Sequence, residues 1–385
     1  MYYNDKNYIY TPQGRGKGRF DLKIAMVGHK RVPSRDGGIE VAVEELSSRM
    51  AAQGHDVTLY NRGGKAPREK YRGVKIRRVP VIRIPGISAA MGAFLATVRA
   101  VFGGYDCIHL HAEGTAAMAF LPKLFKIRTV VTIHGLDWKR SKWGRFASWY
   151  LKKGEKAAVK RADEIVVLSN AMKRYFLDTY GRETVYIPNG MEKVSRKEAA
   201  LIRKKWALEK DGYILYLGRL VPEKGIGYLI DAYKALDTDK KLVIVGSPDE
   251  MPDYFHQLRQ TARGDDRVIF AGFADGDLLA ELFSNCYVYC LPSELEGMPL
   301  SLLEAMSYGC CCVCSDIPEC VEVVGDHGFH FPVGDVAALG QLLGRLCRDP
   351  ELVEERRRRV REEFVHNTWD EVTERTLALY GGVKA

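Results

Sequence analysis

The sequence predicts an α/β protein with two doubly wound domains, in which helices cover both faces of a mostly parallel sheet. Short apolar runs rich in β-branched residues alternate with stretches of helical spacing, as expected for parallel strands that are buried on both faces. This alternation stops at residues 187–190 and begins again at Tyr213. The chain has 385 residues, which suffices for two domains of ordinary size.

The first half of the chain begins with a complete strand–helix–strand unit. An apolar run at 24–28 is followed by a polar loop, a helical pattern over 39–52 and a second strand at 57–60. This order is the βαβ unit of a parallel sheet. Further strands, each followed by a helix, are predicted at 107–110, 129–133 and 164–168.

The second half repeats the pattern after a polar connection at 192–210. Its strands are predicted at 213–217, 241–245, 268–270, 288–291 and 311–314. We expect four parts: a flexible N-terminal extension at 1–21, a first domain at 22–195, a second domain at 196–366, and a helix within 367–385 that packs back on the first domain.

Composition excludes several classes of protein. Hydrophobic residues make up 46% and charged residues 28%, which is ordinary for a globular chain and excludes a disordered one. The longest apolar stretch, 87–102, includes Arg99 and is shorter than the ~20 residues that span a membrane. The polar first twenty residues contain no signal-peptide core, so we expect a cytoplasmic protein.

Five of the nine cysteines crowd into residues 310–320. Cys311 and Cys314 have the spacing of a redox or zinc motif, but a zinc site needs a second pair of ligands at matching spacing, and the sequence offers none. The favoured interpretation is a buried strand that uses cysteine as a small hydrophobic residue.

The charge is distributed unevenly along the chain. Residues 1–200 carry a net charge of +19 and the remainder −10, within a total of +9. Three partners would explain a basic first half: nucleic acid, an anionic membrane face, or an anionic substrate. The sequence contains no zinc finger or RNA-recognition signature, which argues against nucleic acid. A solvated helix face is the alternative for any single basic run.

Candidate ligand-binding residues follow the strands, because open parallel sheets bind ligands beyond the carboxyl ends of their strands. Gly218, Arg219 and Lys224 follow the strand 213–217 and lie where the next helix begins. An arginine and a lysine at a helix start suit a diphosphate without a metal ion. The alternative is a basic surface loop with an ion pair to Glu223.

A second group of candidates follows the fourth strand of the second half. Met298, Pro299 and Leu300 open a helix whose free N–H groups would face an anion, with Pro299 in its first turn and Leu300 toward the core. Glu296 comes just before this helix and Glu304 lies within it. Glu304 would accept hydrogen bonds from two adjacent sugar hydroxyls, as carboxylates do in ribose sites. A solvent-facing carboxylate is the alternative.

Glycines and histidines mark the strand ends of the first domain. Gly37 and Gly38 precede a helix and let a ligand approach the backbone, although a plain turn explains them equally well. His109, His111 and His134 lie at or just past strand ends. A metal pair would lack a third ligand, and hydrogen bonding in the core is the commoner role of a single histidine.

Together these motifs resemble glycosyltransferase family 4, whose members are retaining enzymes of the GT-B fold. The features that match are the glutamates Glu296 and Glu304, the clamp from Gly218 and Arg219 to Lys224, the loop at Gly37 and Gly38, and the segment 187–190. The resemblance runs from about Lys23 to Tyr380. Residues 30–40 are similar to a bacterial subgroup of rhamnosyltransferases of surface-polysaccharide assembly. The family usually has Pro or Val where cysteines stand at 310–312.

The resemblance implies a role for each candidate residue. Arg219 and Lys224 would neutralise the leaving diphosphate, and Glu296 would lie beside the transferred sugar. Glu304 would hold the ribose and Phe273 would meet the base. His111 would lie near the reacting carbon. The other donor-binding residues would be Gly37, Gly38, Gly218, Met298, Pro299 and Leu300. Members of the family work without a metal ion, so neither a metal nor a cofactor is expected.

The implied function is transfer of a hexose or deoxyhexose from a nucleotide-diphosphate sugar to a saccharide or lipid-linked saccharide acceptor. An epimerase of the same fold is the runner-up, and a noncatalytic sugar-nucleotide sensor is disfavoured because the whole motif set is present. The expected location is the cytoplasm, with the anionic inner face of the cell membrane as an additional partner of the basic first domain.

Overall fold

The computed structural model describes residues 21–35, 37–63, 69–81, 87–140 and 143–381. The predicted N-terminal extension, apart from Asp21, lies outside these ranges. The described residues form two sheets, each accompanied by helices, which confirms the predicted α/β class with two doubly wound domains.

The first domain is built on an eight-stranded sheet. Its strands are β1 (Lys23–Val27), β2 (Asp56–Arg62), β3 (Lys70–Tyr71), β4 (Val74–Val79), β5 (Cys107–His111), β6 (Arg128–Ile133), β7 (Glu164–Val167) and β8 (Val185–Tyr186). They lie in the order β3-β4-β2-β1-β5-β6-β7-β8, and all neighbouring pairs are parallel except β3 and β4. The carboxyl ends of the parallel strands therefore share one edge of the sheet.

Within the described part of residues 21–186, six helices accompany this sheet. They are α1 (Gly38–Ala52), α2 (Ile87–Val101), α3 (Glu113–Ala116), α4 (Phe120–Leu124), α5 (Arg145–Arg161) and α6 (Asn170–Tyr180). The local sequence sets the ends of α6. Ser169 Oγ accepts the N–H of Met172 at its start, and Gly181 ends it in the left-handed region at a φ of 62°.

The longest apolar stretch of the sequence forms α2. Ala93, Ala96 and Ala100 are buried on the inner face of this helix, whereas Phe94 and Arg99 are exposed. The stretch is thus a packed helix of the first domain. Across the described ranges, no helix has the length and apolar character needed to cross a membrane.

The second domain is built on a six-stranded, all-parallel sheet in the order β11-β10-β9-β12-β13-β14. Its strands are β9 (Tyr213–Leu217), β10 (Lys241–Val245), β11 (Val268–Gly272), β12 (Val288–Leu291), β13 (Cys312–Ser315) and β14 (Phe329–Phe331). Its helices are α7 (Leu201–Trp206), α8 (Ile226–Lys234), α9 (Pro252–Thr261), α10 (Gly276–Asn285), α11 (Leu300–Ser307), α12 (Pro318–Val324), α13 (Val336–Arg348) and α14 (Pro350–Glu363). The short strand β14 was not predicted, because only one of its three residues is buried.

The cysteines at 310–320 lie in the core of the second domain. All five are buried free thiols in the same apolar cluster as β9, β10 and β12. Cysteine serves here as a small apolar residue in β13, in the two positions before it and in α12. The described part of the chain contains no group of three His, Cys, Asp or Glu side chains placed to hold a metal ion.

The last helix, α15 (Trp369–Tyr380), returns to the first domain. It packs against α1, and its residues Trp369, Val372 and Tyr380 belong to the same apolar cluster as β1. Thr368 and Glu371 form a capping box at its start. The helix therefore ties the end of the chain to the face of the first sheet that carries α1.

Candidate active site

The two domains enclose a cleft at the carboxyl ends of their strands. Residues that follow β1, β2, β5 and β6 face residues that follow β9, β10, β11 and β12 across a cavity of about 1690 Å³. A pocket for one small ligand has roughly 300–1,000 Å³. The cleft is thus large enough for two substrates at once.

Two glycines let the domains touch at the floor of the cleft. A Cβ atom on Gly297 would lie 1.5 Å from the carbonyl oxygen of His134 and 3.0 Å from Cα of Gly135. Backbone of the first domain therefore packs directly on backbone of the second. On one side of this contact, the Glu322 carboxylate accepts hydrogen bonds from the backbone N–H and the side-chain amide of Asn170, at 2.9 and 2.8 Å.

The predicted phosphate clamp lies on the second-domain wall of the cleft. Arg219 and Lys224 both line the cleft at the tip of β9. Lys224 Nζ donates to Glu296 Oε1 at 2.5 Å, and both side chains are largely buried, at 12% and 8% exposure. The sequence implied separate roles for Lys224 and Glu296, and the structure brings the two side chains together as an ion pair.

The alternative expected an ion pair between this basic loop and Glu223, and that ion pair is present, with Glu223 buried instead of on the surface. Its side chain is only 5% exposed, and Arg219 approaches it at 4.0 Å. Arg140 of the first domain also reaches Glu223, at 3.4 Å, while its Nε pairs with Asp137 at 2.9 Å. Arg140 was not predicted as a site residue, because only the closure of the two domains brings it to the clamp.

The start of α11 faces the cleft next to the clamp. The helix begins at Leu300 with Pro299 as its N-cap, so Pro299 precedes the first turn instead of lying within it. Leu300 lines the cleft and packs against the apolar cluster of the first domain, not against the core of its own domain. Met298 Sδ accepts the backbone N–H of Asn189 at 3.0 Å, which fixes this loop to the interdomain segment. The free N–H groups of the first turn are therefore presented to the cleft.

The start of α1 lies opposite the start of α11. Gly38 begins α1, and a Cβ atom at this position would lie 3.3 Å from Cδ1 of Leu300. Gly37 is its N-cap and also lines the cleft. Two helix starts from different domains thus converge, and both favour an anion between them.

Three other predicted residues line the second-domain wall. Gly218 follows β9 and precedes Arg219, and Phe273 follows β11 and is half exposed. Glu304 lies one turn into α11. Burial raises the pKa of the Glu304 carboxyl to about 7, an effect that the positive charge of Arg35 opposes. Both protonation states of Glu304 are therefore populated at neutral pH.

The histidines form a buried stack behind the floor of the cleft. His111 is fully buried, stacks on His109 with ring centroids 4.1 Å apart, and shares a hydrogen bond of 3.1 Å with His134. Of these two residues, His134 lines the cleft. His109 in turn hydrogen bonds to the hydroxyl of Tyr380 at 2.5 Å. Among the described residues His111 does not line the cleft, and its predicted place near the reacting carbon stays a prediction.

Burial keeps these rings neutral. It lowers the pKa of His134 to about 4 and that of His109 to about 3, and it lowers the pKa of His111 well below its ordinary value. Neutral imidazoles donate through one nitrogen and accept through the other. Two hydrogen-bonded pairs, Tyr380 with His109 and His111 with His134, are thus held in defined directions, and ring stacking of His109 on His111 joins them.

Two family models match the chain, one on each domain. A model described as Glycosyltransferase Family 4 matches residues 36–193, and a model described as Glycosyl transferases group 1 matches residues 198–363. The chain belongs to the GT-B glycosyltransferases of the family 4 type. The rhamnosyltransferase-like character of residues 30–40 stays a prediction.

The relatives of this glycosyltransferase extend over most of its length. An uncharacterised glycosyltransferase of Methanocaldococcus jannaschii is 28% identical over 79% of this chain and 83% of its own. The alpha-maltose-1-phosphate synthase of Mycolicibacterium smegmatis is 27% identical over 94% of this chain and 100% of its own. Because these relatives are transferases, the comparison does not favour the epimerase alternative.

Solved structures share the fold. The sucrose-phosphate synthase of Thermosynechococcus elongatus superposes with a TM-score of 0.78 at 23% identity, covering 94% of this glycosyltransferase and 98% of that chain. Anabaena HepE in complex with UDP and glucose superposes with a TM-score of 0.77 at 18% identity, covering 94% and 99%. These similarities confirm the GT-B fold predicted from the sequence.

Proposed function

We propose that this glycosyltransferase moves a hexose or deoxyhexose from a nucleotide-diphosphate sugar to a saccharide or lipid-linked saccharide, with retention of anomeric configuration. The observation that carries the proposal is the position of Arg219 and Lys224 beside the start of α11 on the cleft wall. Two cations and a helix start form a site for a diphosphate. The complex of Anabaena HepE with UDP and glucose supports such a donor.

Departure of the nucleoside diphosphate is the step that this wall assists. Negative charge develops on the leaving phosphate, and preorganised cations and N–H dipoles stabilise it. Lys224 lies between that position and Glu296, so a bound diphosphate would share its positive charge with the glutamate. Glu296 would then lie beside the transferred sugar. Retention would follow from attack on the same face of the sugar, with the leaving phosphate assisting.

The remaining residues would orient the donor and the acceptor. We assign Glu304 to the ribose hydroxyls and Phe273 to the face of the base, since both line the same wall of the cleft. His134 would contact the sugar or the attacking hydroxyl from the first domain. His111 would position His134 through the 3.1 Å hydrogen bond between their rings. The donor would be held without a metal ion or another cofactor.

The function is tested by incubating the protein with radiolabelled nucleotide sugars, deoxythymidine-diphosphate rhamnose among them, with and without membrane extract. We expect label to move to an acceptor that the extract supplies. An altered donor sugar without transfer would identify an epimerase instead. Donor binding with neither outcome would identify a sensor. A thermal-shift screen of nucleotide sugars would identify the donor first.

Chelation of metal ions is expected to leave transfer intact. Arg219, Lys224 and the start of α11 supply the positive charge that a metal ion would otherwise bring to the diphosphate. Transfer measured in the presence and absence of EDTA should therefore agree. Activity that disappears with EDTA and returns with magnesium or manganese would contradict the metal-free clamp.

We also propose that the basic first domain docks on an anionic membrane face that presents a lipid-linked acceptor. Lys75, Arg77 and Arg78 are exposed on β4, near the edge of the first sheet. Each basic residue near such a surface contributes about 1 kcal/mol, reduced by salt. The predicted insertion of the segment 87–98 has less support, because α2 buries its alanine face in the core.

Binding to vesicles is expected to rise with the fraction of anionic lipid and to fall with added salt. Replacing Arg72, Lys75, Arg77 and Arg78 with serine should weaken the binding to vesicles. Serine replacements leave it nearly unchanged at four exposed cations of the second domain, Lys204, Lys205, Arg259 and Arg263. Co-sedimentation with vesicles measures the binding of both variants. Each variant has four serine replacements, so the net charge changes by the same amount in both. A protein that ignores anionic vesicles at low salt would refute membrane docking.

A further inference from the structure

The turn at residues 134–140, which follows β6, joins the first domain to the second at the floor of the cleft. Its start packs on Gly297, and at its end the guanidinium of Arg140 approaches the Glu223 carboxylate at 3.4 Å. His134 and Arg140 also line the cleft. The position of this turn therefore decides how the two walls of the cleft meet.

Trp138, in the middle of this turn, is bound by two glutamates behind the cleft. Its backbone N–H donates to Glu113 Oε2 at 3.2 Å, and its indole N–H donates to Glu155 Oε2 at 3.1 Å. Both glutamates are fully buried, Glu113 at the start of α3 and Glu155 within α5. The tryptophan is thus held at its backbone and at its ring, and the turn is held with it.

The two glutamates also hydrogen bond to each other. Because carboxylates only accept hydrogen bonds, this contact requires a proton on one of them. Glu155 accepts the hydroxyls of Tyr175, at 3.0 Å, and of Tyr180 in addition to the indole. Glu113 accepts one backbone N–H, and its Oε1 is buried without a hydrogen-bond partner among the described residues. A charged oxygen without a donor is costly in the interior, so the proton belongs on Glu113.

Burial and neighbouring charges keep that proton in place. Burial raises the pKa of Glu113 well above its ordinary value, and the negative charges of Asp137 and Glu155 raise it further. The backbone N–H of Trp138 acts on this pKa in the opposite direction and has a smaller effect. Glu113 therefore remains protonated at neutral pH, and Glu155, with its three donors, is the charged member of the pair.

We propose that Glu113 and Glu155 are a positioning pair that shares one proton and holds the turn 134–140 against the second domain during transfer. The inference rests on the proposed transfer function, in which His134 and the phosphate clamp act from opposite walls of the cleft. The described lining of the cleft includes neither glutamate, so the pair acts through Trp138 and not on the substrates.

Replacements of the two glutamates distinguish their roles. Glu113→Ala removes the acceptor of the Trp138 N–H and should lower kcat by about 10²-fold, the effect of a displacement of about 1 Å. Glu113→Gln should restore kcat to within about two-fold, because an amide accepts that N–H and donates to Glu155 as the acid does. Glu155→Gln should lower kcat as Glu113→Ala does, since its amide turns an N–H group toward donors.

The donor Kd should stay unchanged in all three variants, because the donor wall belongs to the second domain. A loss of donor affinity that accounts for the lower activity would contradict a positioning role in the first domain. Equal effects of the two glutamine replacements on kcat would overturn the proposal, because the proton would then have no preferred member of the pair.

A buried glutamate of the second domain provides the control. Glu281 is 5% exposed and accepts the backbone N–H groups of residues 200–202, at the start of α7, at 2.9, 2.7 and 3.1 Å. Glu281→Gln should lower the melting temperature and leave kcat unchanged. A Glu155→Gln variant that also lowers only the melting temperature would show that the pair is merely structural.

Two further measurements do not need transfer. The infrared difference spectrum between the unmodified protein and Glu113→Gln should show the carbonyl band of a carboxylic acid at neutral pH, and its absence would overturn the shared proton. Amide hydrogen exchange of the turn 134–140 should accelerate in Glu155→Gln and not in Glu281→Gln. Equal exchange in these two variants would overturn the positioning role.

A second variant covers the case in which Glu155→Gln does not fold. Trp138→Phe removes the same hydrogen bond and keeps an aromatic ring, so it should also accelerate exchange of the turn and lower kcat. Unchanged exchange and unchanged kcat in Trp138→Phe would overturn the proposal. If no acceptor receives label, the transferase proposal falls, and the infrared and exchange measurements still decide the pair.

Discussion

Replacing Lys224 with alanine is expected to lower kcat/KM for the donor by about 10²–10³-fold, the usual effect of removing one preorganised group that stabilises developing charge. Two losses combine in this variant. The leaving diphosphate loses a cation, and Glu296, whose side chain is 8% exposed, is left with an unpaired negative charge next to it. Arg219→Ala should act in the same direction, because its guanidinium lines the same wall. Steady-state kinetics and donor titration measure both effects.

A matched lysine provides the control. Lys123 pairs with Asp163 at 2.7 Å on the surface of the first domain, so Lys123→Ala also breaks an ion pair but should leave kcat/KM within about two-fold. Circular dichroism should show an intact fold in both variants. Near-normal kcat/KM for Lys224→Ala with a verified donor would show that the clamp is assigned to the wrong residues.

Replacing Gly297 with alanine is expected to lower kcat/KM by about 10²-fold, because a displacement of about 1 Å at a catalytic site has an effect of this size. The added methyl group would overlap the carbonyl of His134, only 1.5 Å away, and both neighbours are backbone that cannot rotate aside. The domains would have to move apart. Each domain keeps its own core, so the melting temperature should change little.

A second glycine separates this effect from a general effect of alanine. Gly227 lies in α8, and a Cβ atom there would meet nothing within 4 Å. Gly227→Ala should therefore leave kinetics unchanged and stabilise the helix slightly. Solution scattering would show whether Gly297→Ala opens the cleft. Unchanged activity of Gly297→Ala would mean that catalysis does not require the contact between Gly297 and Gly135.

The architecture was predictable because local patterns define it. Buried parallel strands are continuous apolar runs, and the runs at β1, β9 and β12 stand between polar loops in the sequence. The ends of the strands were predictable for the same reason. The candidate ligand-binding residues were therefore predictable too, because they follow the strand ends. The strand β14 was not predicted because it is short and only partly buried. Its pairing with a neighbouring strand determines its structure more than its own residues do.

Contacts between distant segments and between the domains could not be predicted from the sequence. The pairing of Lys224 with Glu296, 72 residues apart, depends on the loops after two different strands. Arg140 meets Glu223 only because the domains close on each other. Leu300 packs against the apolar cluster of the opposite domain, next to Gly38, which the helical pattern of its own segment does not reveal.

The sequence by itself determined that two parallel-sheet domains form and that basic, acidic and glycine residues follow their strands. Only the tertiary structure decided that His134 lines the cleft with His111 enclosed behind it, and that Lys224 is paired with Glu296. The physical reason is the distance along the chain over which each kind of interaction acts. Periodicity and turn chemistry act over a few neighbouring residues, whereas the ionisation, burial and pairing of a site residue depend on groups that distant segments bring to it.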